Sequence, residues 1–216
     1  MSRRSGLVLA IGALLVALLG IAVAGALIVS LAGRSPAAVS GHYRGSEPPR
    51  GIELVDFSLR NYDGRLLSAR ELHGRIAVLT FLDSQCTESC PVIAWTVART
   101  VDSLTAAERR DVRVVAITTD PAEDTSPRVR RFLARNRALG RLLYIGGGQS
   151  ASELRDVWNA FKVLSSLESG RDTLHSAPVR IYDRNGEWVA TLHAGADLTQ
   201  ANLAHDIRVA LSEGDE

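Results

Sequence analysis

The chain has only two cysteines in 216 residues, Cys86 and Cys90, and none near the end of its long apolar N-terminal run. An N-terminal lipoprotein anchor is therefore excluded, and thiol chemistry is limited to one pair. Lysine is almost absent, Lys162 being the only one, so arginine carries the positive charge; we read this as composition, and it predicts no ligand. A basic excess is also missing. With the three arginines of the first 34 residues set aside, the 25 basic and 24 acidic residues leave a formal balance of −2, which gives no electrostatic footprint for nucleic acid. There are no repeats or low-complexity segments, and Gly146 to Gly148 lack a surrounding phosphate-loop pattern, so they form an ordinary loop.

From Leu7 to Leu31 every residue is apolar, Gly or Ser. At about 1.5 Å per helical residue this run exceeds a hydrocarbon core of roughly 30 Å, so it is expected to span a bilayer. Arg3 and Arg4 precede it, and a short basic flank of this kind stays on the cytoplasmic side, placing the rest of the chain outside. Ala22-Val23-Ala24 keeps a cleaved signal peptide open as the alternative; either way the remainder is exported. The expected division is a cytoplasmic N-terminus at 1–6, a transmembrane anchor at 7–32, a flexible tether at 33–51 rich in Pro, Gly and Ser, and a folded domain at 52–216.

In the domain, strand and helix patterns alternate. Strands are expected at Ile52 to Leu59, Ile76 to Leu82, Val112 to Thr118 and Leu142 to Ile145, the second and third apolar enough to be buried on both faces. Helices are expected at Ile93 to Leu104, Pro127 to Arg135 and Ser150 to Phe161, the last with Ser150 as cap and Glu153 three residues on. Asn185-Gly186 predicts a hairpin between Val179 to Asp183 and Trp188 to Leu192, and a last helix runs from about Leu198 to Leu211. This order predicts a single α/β domain of thioredoxin-like fold, a central mixed sheet flanked by helices.

Both cysteines follow a buried strand, precede a helix and lead into Pro91. Free amides and positive partial charge at a helix start favour the thiolate, the form that attacks disulfides and binds metals. A purely structural disulfide explains less: closing so short a loop removes only about 2 kcal/mol of unfolded-state entropy. Two thiolates make a soft site suited to Cu(I), and an imidazole as third ligand also tolerates Cu(II). Among five histidines, His42 lies in the tether, His73 in a turn, and His205 within the last helix; His193 ends a hairpin strand and His175 lies in the loop entering Val179. Spacing alone leaves the third ligand open.

Four features then resemble the Sco/SenC family. They are Phe81 to Pro91 with its Cys-x-x-x-Cys-Pro pattern, Thr118 to Thr125 with Asp-Pro-x-x-Asp-Thr, Leu174-His175-Ser176 with Ile181 to Gly186 after it, and the N-terminal apolar run. The resemblance implies Cys86, Cys90 and His175 as copper ligands, with copper as Cu(I) or Cu(II). Asp120 and Asp124 are expected to be structural, capping the turn and helix. Thr87 stands where the family usually has Pro, which restores a backbone donor, and Leu174 where it usually has Asp, which removes a charge from beside the imidazole.

The family further implies a membrane-anchored metallochaperone for the dinuclear copper centre of a cytochrome c oxidase. Its partners would be the copper-bearing oxidase subunit or another copper chaperone, and its soluble domain would lie on the extracytoplasmic side. Two alternatives use the same cysteines: a thiol-disulfide oxidoreductase that keeps a partner's copper-ligand cysteines reduced, with Cys86 attacking and Cys90 resolving, and an exported scaffold with a static disulfide.

Overall fold

The computed structural model describes residues 42–163 and 177–213. The apolar run at 7–31, the Ala22-Val23-Ala24 site, Leu174 and His175 lie outside them. Among the described residues no helix is long and apolar enough to cross a membrane.

The domain is built on a five-stranded sheet. Its strands are β3 (Ile76–Leu82), β4 (Val112–Thr118), β5 (Leu143–Ile145), β6 (Val179–Tyr182) and β7 (Trp188–Leu192), in the order β5-β4-β3-β6-β7. The first three run parallel, and β6 and β7 are antiparallel to their neighbours. All seven residues of β3 are buried, because alternate side chains feed two separate cores. Ile76, Val78 and Leu82 face helices α1 (Ser89–Ser103), α3 (Ser126–Arg135) and α5 (Gln200–Glu213). Ala77, Leu79 and Phe81 face α4 (Ala151–Phe161) and the small hairpin of β1 (Ser58–Arg60) and β2 (Leu66–Ser68). Helices on both faces of a mixed sheet make this a thioredoxin-like α/β fold.

The expected boundaries of β3, β4 and β7 match the structure to the residue. Ser150 caps α4, with its hydroxyl accepting from the Glu153 amide in a capping box. The helix expected from Ile93 starts four residues earlier, at Ser89. Pro91 falls in the first turn, where its missing N–H costs nothing, since those amides have no partner inside the helix. The strand expected from Ile52 is confined to Ser58–Arg60. The residues before it instead bond to the β6–β7 turn, through Leu54 N–H to Gly186 O at 2.7 Å and Trp188 N–H to Ile52 O at 2.7 Å. The short helix α2 (Ala106–Asp111), capped by Thr105 with Glu108, was not expected.

Residues 43–51, which the sequence suggests as tether, hydrogen-bond to the domain. Ser46 and Thr191 exchange two backbone bonds of 2.9 Å, and both carboxylate oxygens of the buried Asp206 accept from the Arg44 and Gly45 amides. Gly45 is held so close that a Cβ there would lie 2.5 Å from Thr191 O.

Candidate metal centre

The three parallel strands end on one edge of the sheet, and each end opens into a loop that contributes to a single cluster. In open α/β sheets this carboxyl edge is where ligands bind. After β3 the chain turns sharply: Asp83 Oδ1 accepts from Gln85 N–H at 2.7 Å, and Cys86 N–H donates to Asp83 O at 3.2 Å. After β4, Asp120 Oδ1 accepts from Glu123 N–H, which fixes the next turn as its expected capping role required. Behind β5, Gly147 packs directly on the Asp124 backbone.

The turn leaves Cys86 half-buried at the loop surface, while the early start of α1 places Cys90 as its second residue, 1% exposed among Leu82, Ile93 and Ala94. Both are free thiols, and their environments push them apart. Cys86 is drawn down to about 5, first by a hydrogen bond from the Cys90 thiol, against burial, and then by the Cys90 and Glu88 amides and the Ser89 hydroxyl. Cys90 moves the other way, raised by donating that same bond and by its burial. The pair therefore shares one proton, held on the inner sulfur, with the charge on the outer one. Burial also pushes Asp83 up to about 6.

Four of the five histidines are described, and none joins the cysteines. The His73 ring packs over Gly186, at the opposite end of β3 from the cysteine loop. His193 closes β7, its amide donating to Asp197, and His205 Nδ1 lies 3.0 Å from Asp206. His42 lines a surface groove with Tyr43 and Glu47. Among the described residues no three His, Cys, Asp or Glu side chains converge to hold a metal. The antiparallel pairing of Leu79 with Arg180 and Ala77 with Tyr182 runs β6 away from the cysteine edge, so its entry lies at that edge. Ala177, two residues after His175, is buried in the same cluster as Leu82 and Cys90.

One expected role needs correcting. Thr125, not Asp124, is the N-cap of α3, and Asp124 is fully buried behind the cysteine loop. Its Oδ1 accepts from Ser84 N–H at 2.9 Å, and its Oδ2 meets the Thr118 and Tyr144 hydroxyls. A polar Asp-Pro-x-x-Asp-Thr turn suggests surface caps, and no local signal distinguishes the aspartate that turns inward.

The profile of the SCO1/SenC family matches residues 47–212. A SCO1 protein homolog of Bacillus subtilis is 22% identical over 164 residues, covering 75% of this chain and 84% of its own. Among solved structures, BsSco, a member of the Sco family of cytochrome c oxidase assembly proteins in which a disulfide switch was identified, superposes with a TM-score of 0.64 at 22% identity, covering 78% of this chain and 98% of its own. Bradyrhizobium japonicum ScoI with copper bound gives 0.60 at 19% identity, covering 73% and 98%.

Proposed function

The chain belongs to the SCO1/SenC family, and from that premise we propose that it is a membrane-anchored copper metallochaperone that helps assemble the dinuclear copper centre of a cytochrome c oxidase. Cys86, Cys90 and His175 are the proposed ligands. The observation that carries the proposal is the pairing of half-buried Cys86, in the loop after β3, with buried Cys90, in the first turn of α1, on the carboxyl edge of the sheet. Cys86 is already charged near neutral pH and reachable from solvent, and Cys90 has one proton to lose as the second sulfur engages. Soft sulfur donors suit Cu(I), and release to a partner's thiols needs an accessible ligand, which the half-buried Cys86 provides. The entry of β6 at the same edge and the burial of Ala177 in the core cluster that also holds Cys90 support His175 as the third donor.

The N-terminal apolar run is proposed to anchor the domain on the extracytoplasmic face, where it would meet the copper-bearing oxidase subunit or another copper chaperone. Deleting the gene is expected to lower oxidase activity in copper-poor medium, with recovery on copper supplementation. Normal oxidase in copper-starved deletion cells would count against the role.

The asymmetry of the cysteines favours a second reading, thiol-disulfide exchange that keeps a partner's copper-ligand cysteines reduced. A half-buried low-pKa sulfur beside a fully buried thiol is the arrangement of an attacking and a resolving cysteine. His175→Ala separates the two: it should weaken copper binding and leave disulfide reduction intact.

A further inference from the structure

Three short oxygen–oxygen contacts meet behind the cysteine loop. Tyr144 Oη lies 2.7 Å from Leu82 O and 2.5 Å from Asp124 Oδ2, and Thr118 Oγ1 lies 2.5 Å from the same Oδ2. Each contact at this distance needs a hydrogen between its oxygens, or two lone pairs face each other. The two hydroxyls supply only two hydrogens. Leu82 O has no hydrogen to give, and it already accepts from the Thr119 amide. We propose that Asp124 supplies the third, standing as a neutral carboxylic acid in the folded protein and in that form locking the cysteine loop to the ends of β3, β4 and β5.

In the resulting network every group is satisfied. Asp124 Oδ2–H donates to Tyr144 Oη, Tyr144 O–H donates to Leu82 O, and Thr118 O–H donates to Oδ2. Oδ1 accepts from Ser84 N–H at 2.9 Å, two residues before Cys86. The surroundings agree with a neutral group. Asp124 is fully buried, and burial raises its pKa against the hydrogen bonds from Ser84, Thr118 and Tyr144; burial likewise holds Tyr144 protonated. The other titratable groups on this side are Asp83 and the two thiols from the loop and α1, and Asp120 from its own turn; all are neutral or negative. Among the described residues no Arg, Lys or His hydrogen-bonds to it or pairs with it. Charge on Asp124 would add a second buried negative group behind the Cys86 thiolate, so the neutral acid fixes the loop without opposing the charge at its tip. Asp124 is thus a positioning residue, and the inference deepens the metal-site reading while resting on it only for its consequence.

The test needs no metal, which keeps it separate from any failure of copper binding. In infrared spectra of the full-length protein at pH 7, a protonated carboxyl band is expected that disappears in Asp124→Asn and moves to higher frequency in Tyr144→Phe, where the acid loses its acceptor. Because a carboxamide can donate to Tyr144 and accept from Ser84, Asp124→Asn should keep the Ser84 amide protected from hydrogen exchange. Asp124→Ala should speed that exchange at least about tenfold. The proposal is overturned if the native protein has no such band at pH 7, if Tyr144→Phe leaves the band unmoved, or if Asn loosens the Ser84 amide as much as Ala does.

Discussion

Replacing Cys90 by alanine removes the largest influence that acidifies Cys86, the hydrogen bond from the inner thiol, and leaves the Glu88 and residue-90 amides and the Ser89 hydroxyl in place. The Cys86 inflection should therefore rise from about 5 part of the way back, by roughly two units, toward the ordinary thiol range. At pH 5 the thiolate fraction then falls about fiftyfold. A more basic thiolate is also a better nucleophile, gaining about eightfold for two units at a Brønsted slope near 0.45. Alkylation of Cys90→Ala is thus expected to be about sixfold slower than native Cys86 at pH 5 and about eightfold faster above pH 8, with the profiles crossing near pH 6. Iodoacetamide kinetics from pH 4 to 9, read by mass spectrometry, give both curves. Profiles with the same inflection would show that the helix amides alone acidify Cys86, and a native inflection in the ordinary thiol range would refute the shared-proton pair.

Further expectations concern the same edge of the sheet. Burial raises the Asp83 pKa to about 6, so the native protein is favoured below the unfolded carboxyl pKa and loses that advantage as pH rises through 6. Asp83→Asn should therefore be more stable at pH 7 by about 1 kcal/mol, after discounting for solvent screening, and equal to native at pH 3, as checked by denaturant melts. Since Cys90 is the one thiol left to deprotonate above pH 6, Cu(I) affinity should rise about tenfold per pH unit between 6 and 8, measured against a competing chelator; a rise of about a hundredfold per unit would mean that both sulfurs carry protons. Gly147→Ala would bring a Cβ to 2.3 Å from Asp124 O, a backbone atom that cannot swing away, so a loss of about 2 kcal/mol or more is expected in thermal unfolding.

The parts of this molecule legible in the sequence are those where local pattern and tertiary demand coincide. Strands β3 and β4 could be bounded to the residue because strands buried on both faces must be apolar almost throughout. Ser150 with Glu153, and Asn185-Gly186, are local devices that act through a few neighbouring atoms, and the structure uses both. Other features carry an ambiguous local signal or depend on distant partners. Pro91 breaks or begins a helix according to the turn it occupies, and α2 has no buried residue to reveal a hydrophobic face, although Thr105 and Glu108 already formed a capping-box signal. The paired acceptance of Arg44 and Gly45 by Asp206 joins residues about 160 positions apart. At the site, Cys86 and Cys90 were legible as a pair, but their opposed acidities follow from the loop turn and the early helix start. The inward aim of Asp124 depends on three strand ends that no local pattern brings together.

Copper is proposed to bind at this edge of the sheet through Cys86, Cys90 and His175, and anaerobic Cu(I) titration of the reduced domain is the decisive experiment. The fragment should begin at His42, because Arg44, Gly45 and Ser46 hydrogen-bond to the domain. One competitor-resistant equivalent is predicted for the native sequence, abolished by Cys86→Ala with Cys90→Ala and weakened by His175→Ala. If no competitor-resistant copper binds to the reduced native domain, the metallochaperone account is contradicted and thiol-disulfide exchange becomes the function that the site supports.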